Sequence, residues 1–184
     1  LKSHISTTRK GILLGNSGSP RSTKTEAVRE YLDEFLMDEN VIDYPWFFRS
    51  LLLQGIILNT RPKKSAAAYK TVWMPEGSPL IVYTEKIQEK LQKIVDVPVE
   101  IGMRYAQPSI ENGIRKLTEQ GVTEIVLLPL YPQYAMSTTE TVIDKAEEVR
   151  KKFFPGIKIN YVQPFYNREI YINCLAESIR EKLP

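Results

Sequence analysis

The stretch GVTEIVLLPLYPQYAMSTT, residues 121–139, decides the fold. Val122, Ile125, Val126, Leu127 and Leu128 make a short, mostly apolar run, which suits a strand buried on both faces better than one with a wet face. That predicts a central strand of a parallel sheet. Pro129 stops the run, and Tyr131, Pro132, Gln133 and Tyr134 follow, where the missing proline N–H groups favour neither strand nor helix. Ser137 with Glu140 has the spacing of a capping box, and Val142, Ile143, Ala146, Val149 and Phe153 then recur on one helical face. The unit reads strand, stiff aromatic loop, helix. Loops leaving the carboxyl ends of strands line the ligand crevice of open α/β sheets, so residues 131–139 are a site candidate.

Working outward, Gly11 to Leu14 is a second continuous apolar run and predicts a second central strand, followed by Gly15, Asn16, Ser17, Gly18, Ser19 and Pro20. Thr23 with Glu26 repeats the capping-box spacing before Val28, Tyr31, Leu32, Phe35 and Leu36 fill a helical face. Gly15 and Gly18 do not make the GxGxxG fingerprint and no P-loop lysine follows, which argues against a nucleotide. Val99, Ile101, Met103 and Tyr105 alternate with Glu100, Gly102 and Arg104, and Ile157, Ile159 and Tyr161 alternate likewise, as outer strands do. The predicted order is therefore 2-1-3-4, in a three-layer α/β unit with helices on both faces. Right-handed crossovers open the crevice between strands one and three, so Asn16 to Ser19 should face Tyr131 to Thr139, with Arg104 and Tyr105 alongside. Helices are expected at 84–95, 109–120 and 167–183.

Residues 41–58 are unusually apolar, with Trp46, Phe47, Phe48, Leu51, Leu52, Leu53, Ile56, Ile57 and Leu58. Helical spacing assigns most of them to the core. They nevertheless cover more of the circumference than one stripe needs, so part of the segment should stand exposed as a lip for an apolar ligand or, peripherally, a membrane surface. Arg61, Lys63 and Lys64 come next, leading a helix through Ala66 to Tyr69, and Pro75, Gly77, Ser78 and Pro79 make a turn. Cations beside an apolar lip suit an amphiphilic anion.

At 184 residues with 42% apolar and 26% charged side chains, the chain is long enough for one domain with a proper core, preceded by a polar arm at 1–9 that is expected to be flexible. A net charge of +3 without a dense Lys/Arg stripe excludes nucleic acid as the natural partner. No run reaches about 18 uncharged apolar residues and no signal-peptide core opens the chain, so the expected location is the cytoplasm. Leu1 and Pro184 both read as processed or cut ends. The one cysteine, Cys174, permits no internal disulfide and no cysteine-clustered metal site, and is expected to be a small buried hydrophobe on a late helix. The one histidine, His4, falls in the arm, where no role is expected of it.

Taken together, Gly11 to Pro20, Arg61 to Tyr69, Gly77-Ser78-Pro79, Arg104, Tyr105 and Pro108, and above all Tyr131, Pro132, Gln133, Tyr134, Ser137, Thr138 and Thr139 closely resemble the amino-terminal half of the ferrochelatase family. The resemblance implies two similar Rossmann-like lobes with protoporphyrin between them and ferrous iron as the second substrate; only one lobe is present in residues 1–184. It implies Arg61, Tyr69 and Ser78 as contacts to the porphyrin propionates with Lys64 close by, and Ser17, Arg104, Tyr105 and Tyr131 around the macrocycle or metal path. Ser17 departs from the family, which often carries a larger Met, Leu or Tyr there. Met136 stands where cluster-bearing animal members have a cysteine, so neither an iron-sulfur cluster nor another cofactor is expected. The family's essential histidine and its glutamate partner lie in the second lobe. The resemblance thus implies no catalytic residue and no metal ligand in this chain, and makes the carboxy-terminal lobe its first partner. Two other readings stay open: a single-domain chelatase that dimerises, which needs histidines this sequence lacks, and a non-catalytic tetrapyrrole-binding module.

Overall fold

The computed structural model describes residues 8–183, so His4 and most of the arm lie outside the described residues. Strands β1 (Lys10–Asn16), β2 (Val99–Met103), β3 (Glu124–Pro129) and β4 (Lys158–Tyr161) form one parallel sheet in the order β2-β1-β3-β4, as the apolar and alternating runs predict. Leu13 and Leu14 are both fully buried, which a central strand requires because successive side chains point to opposite faces. Leu13 packs with Ile114 and Leu117 of α5 (Ile110–Glu119) and Val142 and Ala146 of α6 (Thr141–Phe153). Leu14 packs with Ile101 and Met103 under Leu80, Ile81 and Leu91, from α4 (Pro79–Gln92). Each such buried side chain contributes about 1.5 to 3 kcal/mol, so these two layers clamp the sheet. The connections after β1 and β3 leave on opposite sides, and the crevice opens between them.

The third strand departs from the expectation of burial on both faces. Ile125, Leu127 and Pro129 are buried, but Val126 and Leu128 are half-exposed. α4 packs chiefly on β2 and β1, so that face of β3 is only partly covered.

Four helices follow β1 before the sheet resumes at β2: α1 (Thr25–Leu36), α2 (Trp46–Leu52), after a π-helical turn at Leu53–Ile57 α3 (Leu58–Val72), and then α4. The expectation that most of residues 46–58 are core is overturned. Trp46, Phe47, Phe48, Leu51 and Ile56 are exposed, and only Leu53 and Leu58 among the apolar residues are fully buried. A regular helix would not align residues five apart, whereas the wider π turn turns both toward Val28, Leu32 and Tyr105. Both capping boxes also fail. Helix α1 starts after Lys24, with no side-chain cap. Ser137 and Glu140 lie within a π turn, Met136–Glu140, that precedes α6, and Glu140 instead accepts the Tyr134 hydroxyl. The side-chain cap that does form is at Ser109, whose Oγ accepts the Asn112 amide at 3.2 Å and starts α5. Cys174 is exposed, not a buried hydrophobe, because α7 (Glu169–Arg180) has no buried residue.

Beyond the strand ends, the loop after β1 is stitched to the loop after β2. Arg104 N–H donates to the Asn16 carbonyl at 2.8 Å and Tyr105 N–H to the Ser17 carbonyl at 2.9 Å. Gly18 has φ +98°, and a Cβ there would lie 2.0 Å from the Tyr105 carbonyl oxygen, so only glycine fits. Gly18→Ala is expected to destabilise the chain by about 3 kcal/mol in urea unfolding. Gly156→Ala, where a Cβ meets nothing within 4 Å, should stay within about 0.5 kcal/mol of the parent.

Candidate functional site

The carboxyl ends of β1, β2 and β3 bring four of the sequence-predicted residues together: Ser17, Arg104, Tyr105 and Tyr131. Leu130 N–H donates to the Gly15 carbonyl at 2.8 Å, which carries the β1–β3 pairing into the loops and sets Tyr131 beside Ser17. Ser17 is held by its own amide, which donates to Asn16 Oδ1 at 2.9 Å, and Asn16 Nδ2 donates to Thr84 on α4 at 3.2 Å. The Tyr131 hydroxyl is buried and makes no hydrogen bond of ordinary geometry. Burial pushes that phenol above its usual pKa, and Ser17 offsets the shift only in part.

Arg104 and Tyr105 are less free than the resemblance implies. Arg104 NH2 donates to Asp38 Oδ2 at 2.5 Å and its Nε to Thr141 Oγ at 2.7 Å, while the guanidinium lies 4.6 Å from the Tyr105 ring centroid. Tyr105 is fully buried, and its hydroxyl donates to the same Asp38 oxygen at 2.8 Å. In this arrangement Tyr105 offers no surface to a ligand, and its phenol is pushed well up, by burial first and by the Asp38 charge. Thr141 Oγ donates to that oxygen as well. Burial opposes the charge on Asp38, but the bonds from Thr141, the Asn40 amide and Tyr105, with the Arg104 charge, hold its carboxyl below the ordinary value.

Arg61, Lys64 and Tyr69 all lie on α3. Arg61 and Lys64 are exposed and make no ion pair among the described residues. Tyr69 is half-buried, edge-on to Tyr31 at 6.5 Å, and Tyr31 is in turn edge-on to Tyr105 at 6.4 Å. This row of rings joins α3 to the strand ends. Burial raises the Tyr69 phenol, with Tyr31 and the Arg61 charge opposing. The Tyr31 hydroxyl donates to the Gly18 carbonyl at 3.4 Å, so the row reaches the crevice loop. Ser78 stands apart from this group, buried at the N-cap of α4. Upstream of α3, Tyr44, Phe48, Leu51, Leu52, Gly55 and Ile56 line an open apolar trough of about 610 Å³.

Sequence reasoning missed Asp38 and Arg49. Asp38 sits between Met37 and Glu39 at the end of a charged helix, where nothing in the sequence separates it from Glu39. Arg49 is buried inside the apolar segment, where it donates to the Ile42 and Tyr44 carbonyls at 3.0 and 3.3 Å and fixes the bend into the trough.

A single parallel sheet with its crevice at the switch point defines a chelatase-like α/β lobe. The same architecture occurs in SirB from Bacillus subtilis, solved with Fe3+, which superposes with a TM-score of 0.53 at 18% identity over 96% of this chain and 49% of that one. The family model for ferrochelatase matches residues 9–184, and the chain belongs to that family. Ferrochelatase of Stutzerimonas stutzeri is 45% identical over 93% of this chain and 50% of that protein. The Vibrio cholerae ferrochelatase is 42% identical over 92% of this chain and 53% of its own length. The chain thus spans about half the length of the curated relatives it matches.

The Asp38 cluster makes an acid-side prediction. Its folded pKa lies below the ordinary 3.8, so its stabilisation is fully present above that value and is lost as pH falls through the lowered one. Asp38→Asn leaves the Arg104 charge without its partner and is expected to cost about 3 kcal/mol at neutral pH. Chemical denaturation as a function of pH should show the gap between variant and parent narrowing below pH about 4.

Proposed function

We propose that this chain is the amino-terminal lobe of a ferrochelatase that inserts ferrous iron into protoporphyrin to form haem, and that it builds one wall of the porphyrin cleft. The observation that carries the reading is the continuous α2–α3 segment, which sets exposed Arg61 and Lys64 directly after the open trough of Tyr44, Phe48, Leu51 and Ile56. A flat apolar ring with carboxylates along one edge needs those two surfaces side by side. Charge-assisted bonds from Arg61, Lys64 and Tyr69 to the propionates contribute roughly 1.5 to 3 kcal/mol each when partly shielded. Ser17 and Tyr131 meet the macrocycle at the strand ends, with Ser78 beyond them on α4. Arg104 and Tyr105 act from behind, holding the floor in shape.

Metal insertion releases two pyrrole protons as Fe(II) enters, and the nitrogen lone pairs must be turned toward the metal by distorting the ring. The groups of this wall are poor acceptors for those protons. The phenols of Tyr69, Tyr105 and Tyr131 are shifted up by burial and stay protonated at neutral pH. The Asp38 carboxylate is held charged by three hydroxyl or guanidinium donors and has little basicity left. The proton acceptor therefore comes from the carboxy-terminal half of the same polypeptide, where the family resemblance sets its histidine and glutamate. Among the described residues no helix is long and apolar enough to cross a membrane. The exposed rings of Trp46, Phe47 and Phe48 suit a cytoplasmic protein that receives an apolar substrate while touching a membrane surface peripherally.

The test is a porphyrin fluorescence titration of the protein extended through its natural downstream half. Arg61→Ala is expected to weaken binding about 10- to 150-fold, the equivalent of one shielded charge-assisted bond. Arg115→Ala, which removes an exposed pair with Glu111 on α5 and a contact over the Phe154 ring, should leave the affinity unchanged. Equal affinities for the two variants would take Arg61 out of the site.

A further inference from the structure

Threonine is a poor choice for a helix interior on propensity alone, because its β-branch restricts χ1 and its hydroxyl competes for backbone partners. Thr84 nevertheless stands in the second turn of α4 and is 1% exposed. Its hydroxyl donates back to the Leu80 carbonyl at 2.7 Å, which uses the one proton it has. The oxygen can then act toward other groups as an acceptor alone, and it accepts Asn16 Nδ2 at 3.2 Å. That orients the Asn16 amide. Its Oδ1 is left toward the Ser17 N–H, which donates to it at 2.9 Å. The three bonds run in one direction, from Ser17 through Asn16 to Thr84 and Leu80, and an amide turned the other way would set Asn16 Nδ2 against the Ser17 N–H, donor to donor.

We infer that Thr84 is a positioning residue for metal insertion, which acts through Asn16 to fix the Ser17–Tyr131 floor relative to Ser78, so that a ring held at Ser78 is seated against the strand ends. This role rests on reading the chain as one wall of a porphyrin cleft, and the geometry supplies the coupling. Helix α4 leads into β2, which is parallel to β1, so its first turns lie at the carboxyl ends of the strands. Ser78 heads that helix, with Pro79 at its first position, and stands roughly 9 Å from Thr84 along the axis. At the other end of the relay, the Ser17 carbonyl accepts the Tyr105 amide at 2.9 Å and the Asn16 carbonyl the Arg104 amide at 2.8 Å, so the residues that Thr84 holds are already part of the floor. The bonds from Gln88 and Gln92 on α4 go to Val99, at the far end of β2. Near the crevice the apolar contacts of Leu80 and Ile81 give α4 adhesion without direction, and the bond from Asn16 to Thr84 gives it direction.

The test uses the protein extended through its natural downstream half. Thr84→Val removes the hydroxyl and keeps the shape, so Asn16 Nδ2 loses its acceptor. The kcat for conversion of protoporphyrin with ferrous iron is expected to fall about 10-fold, while the porphyrin Kd from fluorescence titration changes less than about 2-fold. Thr84→Ser restores the hydroxyl and should return kcat to within about 3-fold of the parent. Asn16 is only half-buried, so Asn16→Ala carries the same test even where Thr84→Val impairs folding, and it should lower kcat about 10-fold at an unchanged Kd. The double variant should lose no more than either single one, because both cut the same relay. Parent kcat in Asn16→Ala or in folded Thr84→Val would overturn the inference. So would losses that multiply to about 100-fold in the double variant, or a loss in Thr84→Val that Thr84→Ser does not restore, which would mark a packing defect. An unsubstituted protein that neither binds nor converts porphyrin would remove the proposed function and this role with it, whereas turnover by the parent matched by Thr84→Val would remove the role alone.

Discussion

One carboxylate oxygen ties the crevice together. Asp38 Oδ2 accepts from Arg104, Tyr105 and Thr141, and so joins the end of α1, the loop after β2 and the first residue of α6 at a single buried point. Three segments far apart in sequence are held to one another while that oxygen is charged and buried. A charge in such surroundings is costly to bury, and it persists because every lone-pair direction finds a donor. The floor of the crevice is tied at one point for that reason.

The other side of the site is built on the opposite principle. Its lip exposes apolar rings to solvent, and its cations have no partners among the described residues. A floor tied together by the Asp38 bonds thus stands beside an open, apolar rim. The aromatic row Tyr69–Tyr31–Tyr105 connects the two, so the position of α3 depends on the floor that Asp38 holds.

Much of this was legible in the sequence. The order of the four strands followed from two apolar runs and two alternating ones, although one face of the apolar run in β3 stays partly bare. The meeting of Ser17, Arg104, Tyr105 and Tyr131 followed from that order alone. What was hidden is instructive. A π turn places Leu53 and Leu58 on one side and turns Phe48 and Leu51 outward, and no 3.6-residue periodicity reveals such a turn. The Thr23–Glu26 and Ser137–Glu140 spacings had the form of caps, but the chain there meets its donors by other routes. Tyr105 looked like a contact and is a fully buried strut. Its role is decided by Asp38, a partner 67 residues away, and no local pattern encodes so distant a pair. The half-bare face of β3 and the exposed α7 also lie beyond what periodicity reports.

The central claim is that this chain supplies a wall of the cleft while the proton acceptor lies downstream. The most direct measurement is anaerobic conversion of protoporphyrin with ferrous iron, following loss of free ring and appearance of haem, for residues 1–184 and for the protein extended through its natural downstream half. The extended protein is expected to turn over, and the 184-residue chain to fall short by at least the factor of about 10² to 10⁴ that a positioned base contributes. Equal turnover by both would put the acceptor among residues 1–184 and contradict the account.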